Sequence, residues 1–146
     1  MRQIAELIEG HPLHHANSSE SVRDVARLMT ERNVGAVAVL DSGKLVGVFS
    51  ERDLMTRVVA AGLDPDKTAV ENVMTRSIVV AGPRDDINSA MQKMHKLGCR
   101  HLPVVDGGNL LGMLSIRDLL MIDDEDQRQK ASFLNELVTY SPDYET

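Results

Sequence analysis

The sequence predicts an α/β (α+β) protein in which two like units, each strand-helix-strand-strand-helix, pack face to face about a pseudo-twofold axis. Three observations carry that expectation. The stretch Gly47-Val48-Phe49-Ser50-Glu51-Arg52-Asp53-Leu54 returns 65 residues later as Gly112-Met113-Leu114-Ser115-Ile116-Arg117-Asp118-Leu119. Compared without gaps, residues 22–54 and 87–119 agree at ten of thirty-three positions. Many of the remaining positions exchange one apolar residue for another, and two copies are too few for a solenoid. Finally, a half of a 146-residue chain buries too little apolar surface to stand alone, so the two units are expected to share a core.

Ile4, Leu7 and Ile8 share one face of a short opening helix, stopped by Gly10 and Pro12. Residues 13–16 are expected as a short strand. Asn17-Ser18-Ser19-Glu20-Ser21 then offers capping side chains before Val22, Val25, Ala26, Leu28 and Met29, which follow helical spacing. Asn33-Val34-Gly35 ends that helix, because Asn and Gly tolerate a left-handed turn. The run Ala36-Val37-Ala38-Val39-Leu40 reads as a strand covered on both faces. Asp41-Ser42-Gly43-Lys44 supplies hairpin chemistry, and residues 45–50 return as its partner. A helix is expected over residues 51–61, closed by Gly62 and the Asp64-Pro65-Asp66 linker.

The second unit repeats the order. Residues 70–74 form a helical turn and residues 77–80 a strand. Pro83-Arg84-Asp85-Asp86 caps a helix that runs to Leu97-Gly98. A hairpin over residues 102–115 turns at Asp106-Gly107-Gly108-Asn109. The last helix starts at Ile116 and meets the acidic cluster Asp123-Asp124-Glu125-Asp126, read as a solvated turn. Ala131, Leu134, Leu137 and Val138 resume a helical apolar face ahead of a frayed tail after Tyr140. The expected divisions are residues 1–66 with the N-terminal helix, 67–122, and a C-terminal helical extension over 123–146.

Composition excludes several function classes. A net charge of −6, with two Phe and two Tyr, supplies neither the basic stripe nor the stacking surface of a nucleic-acid binder. Cys99 is the only cysteine, so no intrachain disulfide forms. Charge interrupts the apolar residues of the N-terminus, unlike a signal peptide, and no run approaches the roughly eighteen apolar residues that span a bilayer. A cytoplasmic protein with no membrane partner is expected.

The repeated Ser-x-Arg-Asp carries the candidate chemistry. It falls where an apolar strand hands over to a helix N-terminus, whose free N–H groups favour an anion. The carboxylates of Asp53 and Asp118 suit paired ribose hydroxyls, and Ser50, Ser115, Arg52 and Arg117 suit phosphate oxygens. The plainer alternative is that Ser50 and Ser115 are helix caps and the aspartates sit favourably in the first turn. An exposed first-turn Asp contributes only tenths of a kcal/mol to the fold, so Asp53→Ala is expected to cost binding rather than stability.

With these residues quoted, the chain resembles the tandem cystathionine-β-synthase (CBS) domain family. The resemblance rests on the two Gly-h-h-Ser-x-Arg-Asp-h stretches (h, apolar), on Cys99-Arg100-His101-Leu102-Pro103-Val104-Val105-Asp106 and on Met74-Thr75-Arg76. It covers residues 13–120. It implies a stand-alone CBS pair, disc-like homodimers, and two composite clefts that take adenosyl ligands. By position, the first cleft joins Ser50, Arg52 and Asp53 to Val79, Cys99, Arg100 and His101. The second joins Ser115, Arg117 and Asp118 to His14, Val34, Gly35 and Ala36. Arg100-His101 offers cations where Gly35-Ala36 offers backbone and a methyl, so the first cleft is expected to hold phosphate better, with His101 as a second cation.

Other groups weigh less. His11, His14 and His15 do not converge as metal ligands, since on a strand His11 and His15 face away from His14. Cys99 and His101 lack an oriented third member for nucleophilic catalysis, and no P-loop is present. The expectation is therefore a non-enzymatic sensor of AMP, ADP or ATP, with NAD or S-adenosylmethionine as further candidates and no obligatory cofactor. It would act on a separate effector protein or through a homodimer using Met55 and Met121. The alternative is a structural homodimer with no physiological ligand.

Overall fold

The computed structural model describes residues 3–126, with side chains as far as Met121. The 65-residue offset is kept by the backbone. Helices α1 (Ile4–Ile8), α2 (Val22–Arg32) and α4 (Ile87–Leu97) include the repeated pair α2 and α4. The Ser21 hydroxyl accepts from the Asp24 N–H at 3.1 Å, and the Asp86 carboxylate accepts from the Ser89 N–H at 2.7 Å. Both helices end on left-handed residues, Asn33 (φ 55) and Gly98 (φ 66). Strands β2 (Ala36–Asp41) and β3 (Lys44–Ser50) pair antiparallel, as do β4 (His101–Asp106) and β5 (Asn109–Ser115). The register shifts between Val39 and Leu40 in one hairpin and between Val104 and Val105 in the other. Residues 36–39 are buried throughout, as a doubly covered strand requires.

The copies differ at their first strands. β1 (His15–Asn17) pairs parallel with β2, and Ser18 donates its N–H to the Leu40 carbonyl at 2.9 Å. The strand expected over residues 77–80 does not form. A single parallel bridge joins Ala81 to Val104, at the positions equivalent to Ala16 and Val39. Pro83 stands where Ser18 stands in the first copy and has no N–H to extend the ladder.

Each leading segment packs on the opposite copy. Ile4 and Leu7 of α1 join the second core with Ile87, Ala90, Met94, Leu102, Val104, Leu114 and Leu119. The Ile4 and Ala5 N–H groups donate to the carbonyls of Asp85 and Pro83 at 3.0 and 2.8 Å. The N-terminal helix, which precedes the first unit in sequence, thus has its apolar face covered by the core of the second. Reciprocally, the 3₁₀ turn Val70–Asn72 donates from Val70 and Glu71 to the carbonyls of Glu20 and Ser18 at 2.8 and 3.1 Å. Val70, Val73 and Met74 fill the first core beside Val25, Val37 and Phe49. Gly47 and its equivalent Gly112 permit the two crossings. A Cβ at Gly47 would lie 2.5 Å from the Met74 sulfur, and one at Gly112 would lie 3.2 Å from Ile8.

Two further expectations are corrected. The helix after β3 is α-helical only in α3 (Glu51–Asp53) and continues as a π-helix, Leu54–Val59. The Ala60 N–H donates to the Met55 carbonyl at 2.9 Å, five residues back, while the Thr56 hydroxyl takes the Arg52 carbonyl at 2.9 Å. Asp123–Asp126 is not a turn, since α5 (Ile116–Asp126) runs through it. The apolar positions at 131–138, the tail and most of the expected 123–146 extension lie outside the described residues.

Candidate functional site

Both Ser-x-Arg-Asp copies fold into reciprocal caps. In the first, the Ser50 hydroxyl accepts from the Asp53 N–H at 3.1 Å, and the Asp53 carboxylate accepts from the Ser50 N–H at 3.0 Å. In the second, the Ser115 hydroxyl and Asp118 carboxylate make the same exchange at 3.0 and 3.3 Å. The capping alternative is thus realised in both copies, and it aims the remaining acceptor positions of each carboxylate. A strand that stops on Ser, followed three residues later by Asp, is sufficient cause.

Asp53 is not the exposed first-turn residue expected from its position. It is 7% exposed, because the segment leading into the second copy covers it. Thr75 donates its hydroxyl to Asp53, 3.2 Å from Oδ1 and 3.3 Å from Oδ2. Arg57 lies 3.8 Å from Oδ1 and donates to the Val73 and Met74 carbonyls at 3.2 and 2.9 Å. Sequence reasoning missed both partners. Arg57 was findable from its i,i+4 spacing to Asp53. Thr75 was not, since its approach depends on how residues 73–76 dock.

A cleft of about 1040 Å³ opens beside this cluster. Every residue placed in the first cleft by position lines it: Ser50, Arg52 and Asp53 from one copy, and Val79, Cys99, Arg100 and His101 from the other. Ser77 and Ile78 complete the wall contributed by the second copy's lead-in. Gly35 lines this same cleft rather than the second, with the Glu51 carboxylate and the His101 ring converging on the space above it. Ala36 is buried, and Val34 packs against the first core. Ser115, Arg117, Asp118 and His14 do not line the large cleft.

The cleft carries mixed charge. Arg52 and Arg100 are exposed and make no ion pair among the described residues, which leaves two guanidinium groups available to an anion. His101 differs from expectation. Burial pushes its imidazole below the ordinary value of 6.5, outweighing the carboxylates of Glu51 and Asp118 that pull it upward, and Arg100 adds to the lowering. Its imidazole is therefore a neutral hydrogen-bonding group at neutral pH. Cys99 is half-buried and packs against the second core. Among the described residues no three His, Cys, Asp or Glu side chains are placed to hold a metal. Nor is any described helix long and apolar enough to cross a membrane.

The CBS domain family model matches this chain twice, over residues 4–60 and 70–125. The chain belongs to the CBS domain family. The CBS domain-containing protein YhcV of Bacillus subtilis is 36% identical over 101 residues, covering 69% of this chain and 71% of YhcV. A protein with CBS domains from Burkholderia ambifaria superposes with a TM-score of 0.81 at 31% identity, covering 86% of this chain and 96% of that one. The CBS domain protein PAE2072 of Pyrobaculum aerophilum, solved with AMP, has a TM-score of 0.77 at 28% identity and covers 90% and 99%. Other relatives are longer: the chain spans 20% of an Arabidopsis thaliana CBS domain-containing protein to which it is 39% identical over 105 residues. The two CBS motifs here are the two halves of the repeat, and the large cleft lies between them.

Proposed function

We propose that this CBS pair is a regulatory module that binds an adenosine nucleotide in the cleft between Asp53 and Arg100. The observation that carries the reading is the convergence of a capped Ser-x-Arg-Asp from one motif with Arg100 and His101 from the other across one cleft. Asp53 faces the ribose, while Arg52 and Arg100 hold phosphate by charged, fork-like hydrogen bonds. The AMP complex of PAE2072, which shares the fold along nearly the whole chain, supports the ligand class. Output passes through conformation or association to a separate effector. The exposed Met55 (58%), Val59 (70%) and Met121 (60%) supply the face of a homodimer, read by light scattering.

Calorimetry with AMP and adenosine tests the proposal. AMP should bind the wild type more tightly than adenosine. Arg100→Ala should lose about 1.5–3 kcal/mol of AMP affinity, the range for hydrogen bonds to a charged group. Asp118→Ala should keep the tighter site. Equal losses in both variants would show two equivalent sites, and absence of binding by any adenosyl ligand would remove the sensor reading.

A further inference from the structure

His101 opens strand β4, and its half-buried imidazole lines the large cleft beside Arg100. Of the five histidines, it alone lines that cleft. Its ring and the Glu51 carboxylate converge on the space that Gly35 leaves open. A Cβ there would lie 3.3 Å from Glu51 Oε1 and 3.6 Å from His101 Nε2. No hydrogen bond or ion pair among the described residues engages the imidazole. Three charged groups face it: Glu51 from α3, Asp118 from α5, and Arg100 from the residue before β4. Burial outweighs the two carboxylates, so the ring stays neutral at neutral pH.

A nucleotide phosphate held by Arg52 and Arg100 shifts that balance. It carries nearly two negative charges near neutral pH into a site shared with the ring. It also neutralises Arg100, the one charged neighbour that opposes a proton on His101. Both changes favour the imidazolium, which donates to a phosphate oxygen more strongly than the neutral ring does. Adenosine brings neither change. The position equivalent to His101 in the first copy is Ala36, so the repeat supplies this group once.

Resting on the proposed nucleotide site, we infer that nucleotide binding in the first cleft is coupled to uptake of one proton from solvent by His101. The module then answers to pH as well as to nucleotide. Proton and phosphate each strengthen the binding of the other by the same factor. Affinity rises as pH falls from the basic side, and it levels off once the ring of the free chain is itself protonated.

Calorimetry with AMP and adenosine, in two buffers of different ionisation enthalpy, counts the protons taken up. At about pH 7.5 a phosphate monoester, with a second pKa of about 6, is already almost fully ionised, so the uptake reports the protein. AMP should bring in about half a proton or more, and adenosine none. AMP affinity should rise about threefold to tenfold from about pH 8 to about pH 7, tenfold being the ceiling for one proton. In His101→Gln it should change by less than about twofold. Imidazole NMR titration of the wild type, which needs no variant, should show one histidine whose pKa AMP moves upward. AMP binding without proton uptake, uptake that persists in His101→Gln, or no imidazole responding to AMP overturns the inference while nucleotide binding stands. If the wild type binds no AMP across this range, both readings fall together.

Discussion

The two Ser-x-Arg-Asp copies share sequence, cap geometry and place at a strand end, yet they sit in different surroundings. Asp53 is roofed by residues 73–76 and held by Thr75 and Arg57, whereas Asp118, beyond its cap, has only an electrostatic neighbour in His101 among the described residues. The strands before them differ in the same sense. Gly47 is crossed so closely that a Cβ would lie 2.8 Å from the Thr75 carbonyl, whereas one at Gly112 would lie 3.2 Å from its nearest neighbour, the Cβ of Ile8. A repeat therefore fixes what each copy can form but not how tightly its neighbour closes over it. The tighter closure belongs to the copy whose carboxylate lines the large cleft.

That contrast is most exposed at the two glycines. Gly47→Ala should cost about 3 kcal/mol, near the upper end for overpacking, because both a sulfur and a backbone carbonyl must move. Gly112→Ala should cost less, about 1 kcal/mol, since a 3.2 Å approach asks Ile8 and its helix end to shift only slightly. Urea melts of the pair measure the difference, and equal losses would mean the two crossings are alike. A smaller gap is expected between the aspartates. Asp53→Ala leaves the Ser50 N–H and Thr75 hydroxyl without their acceptor and should cost about 2 kcal/mol. Asp118→Ala removes one cap partner, about 1 kcal/mol. Thermal melts decide it, and a stable Asp53→Ala would restore the view of that residue as an exposed ligand contact. The mildest effect concerns His101. Its folded pKa lies below 6.5, so the unfolded chain takes up the proton first as pH falls. Its contribution is therefore fully present above 6.5 and lost as pH falls through the folded value. Melting temperature should drop between about pH 7.5 and about pH 5.5 in the wild type and drop less in His101→Gln. Parallel curves for the two would show that His101 is not the group responsible.

Much of this was legible before any coordinates. The offset placed α2 against α4 and one hairpin against the other to the residue, because helix caps, left-handed ends and hairpin turns are set by residues close in sequence. The first-cleft residues followed instead from the family resemblance, carried over by position in the repeat. What escaped was long-range. Pro83 silently removes a ladder bond that Ser18 makes in the other copy. The apolar faces of α1 and residues 70–74 announce that they need cover, but not that each finds it on the opposite motif. Gly35 lines the first cleft because the Glu51 and His101 side chains converge above it, a contact that position in the repeat does not give. Asp53 looked exposed because nothing adjacent in sequence buries it.

The exchange of leading segments also bears on how the chain emerges from a ribosome. The first core closes once residues 70–74 have been made. Helix α1 is synthesised well before its partner, since the strand it crosses, at Gly112, follows Ile4 by 108 residues. At the usual pace of elongation its apolar face waits on the order of 5–20 s for a partner. During that interval Ile4 and Leu7 are available to any holding factor near the exit tunnel. The later of the two motifs is thus the one that shelters α1, and the second core is completed only after Leu119 has been made.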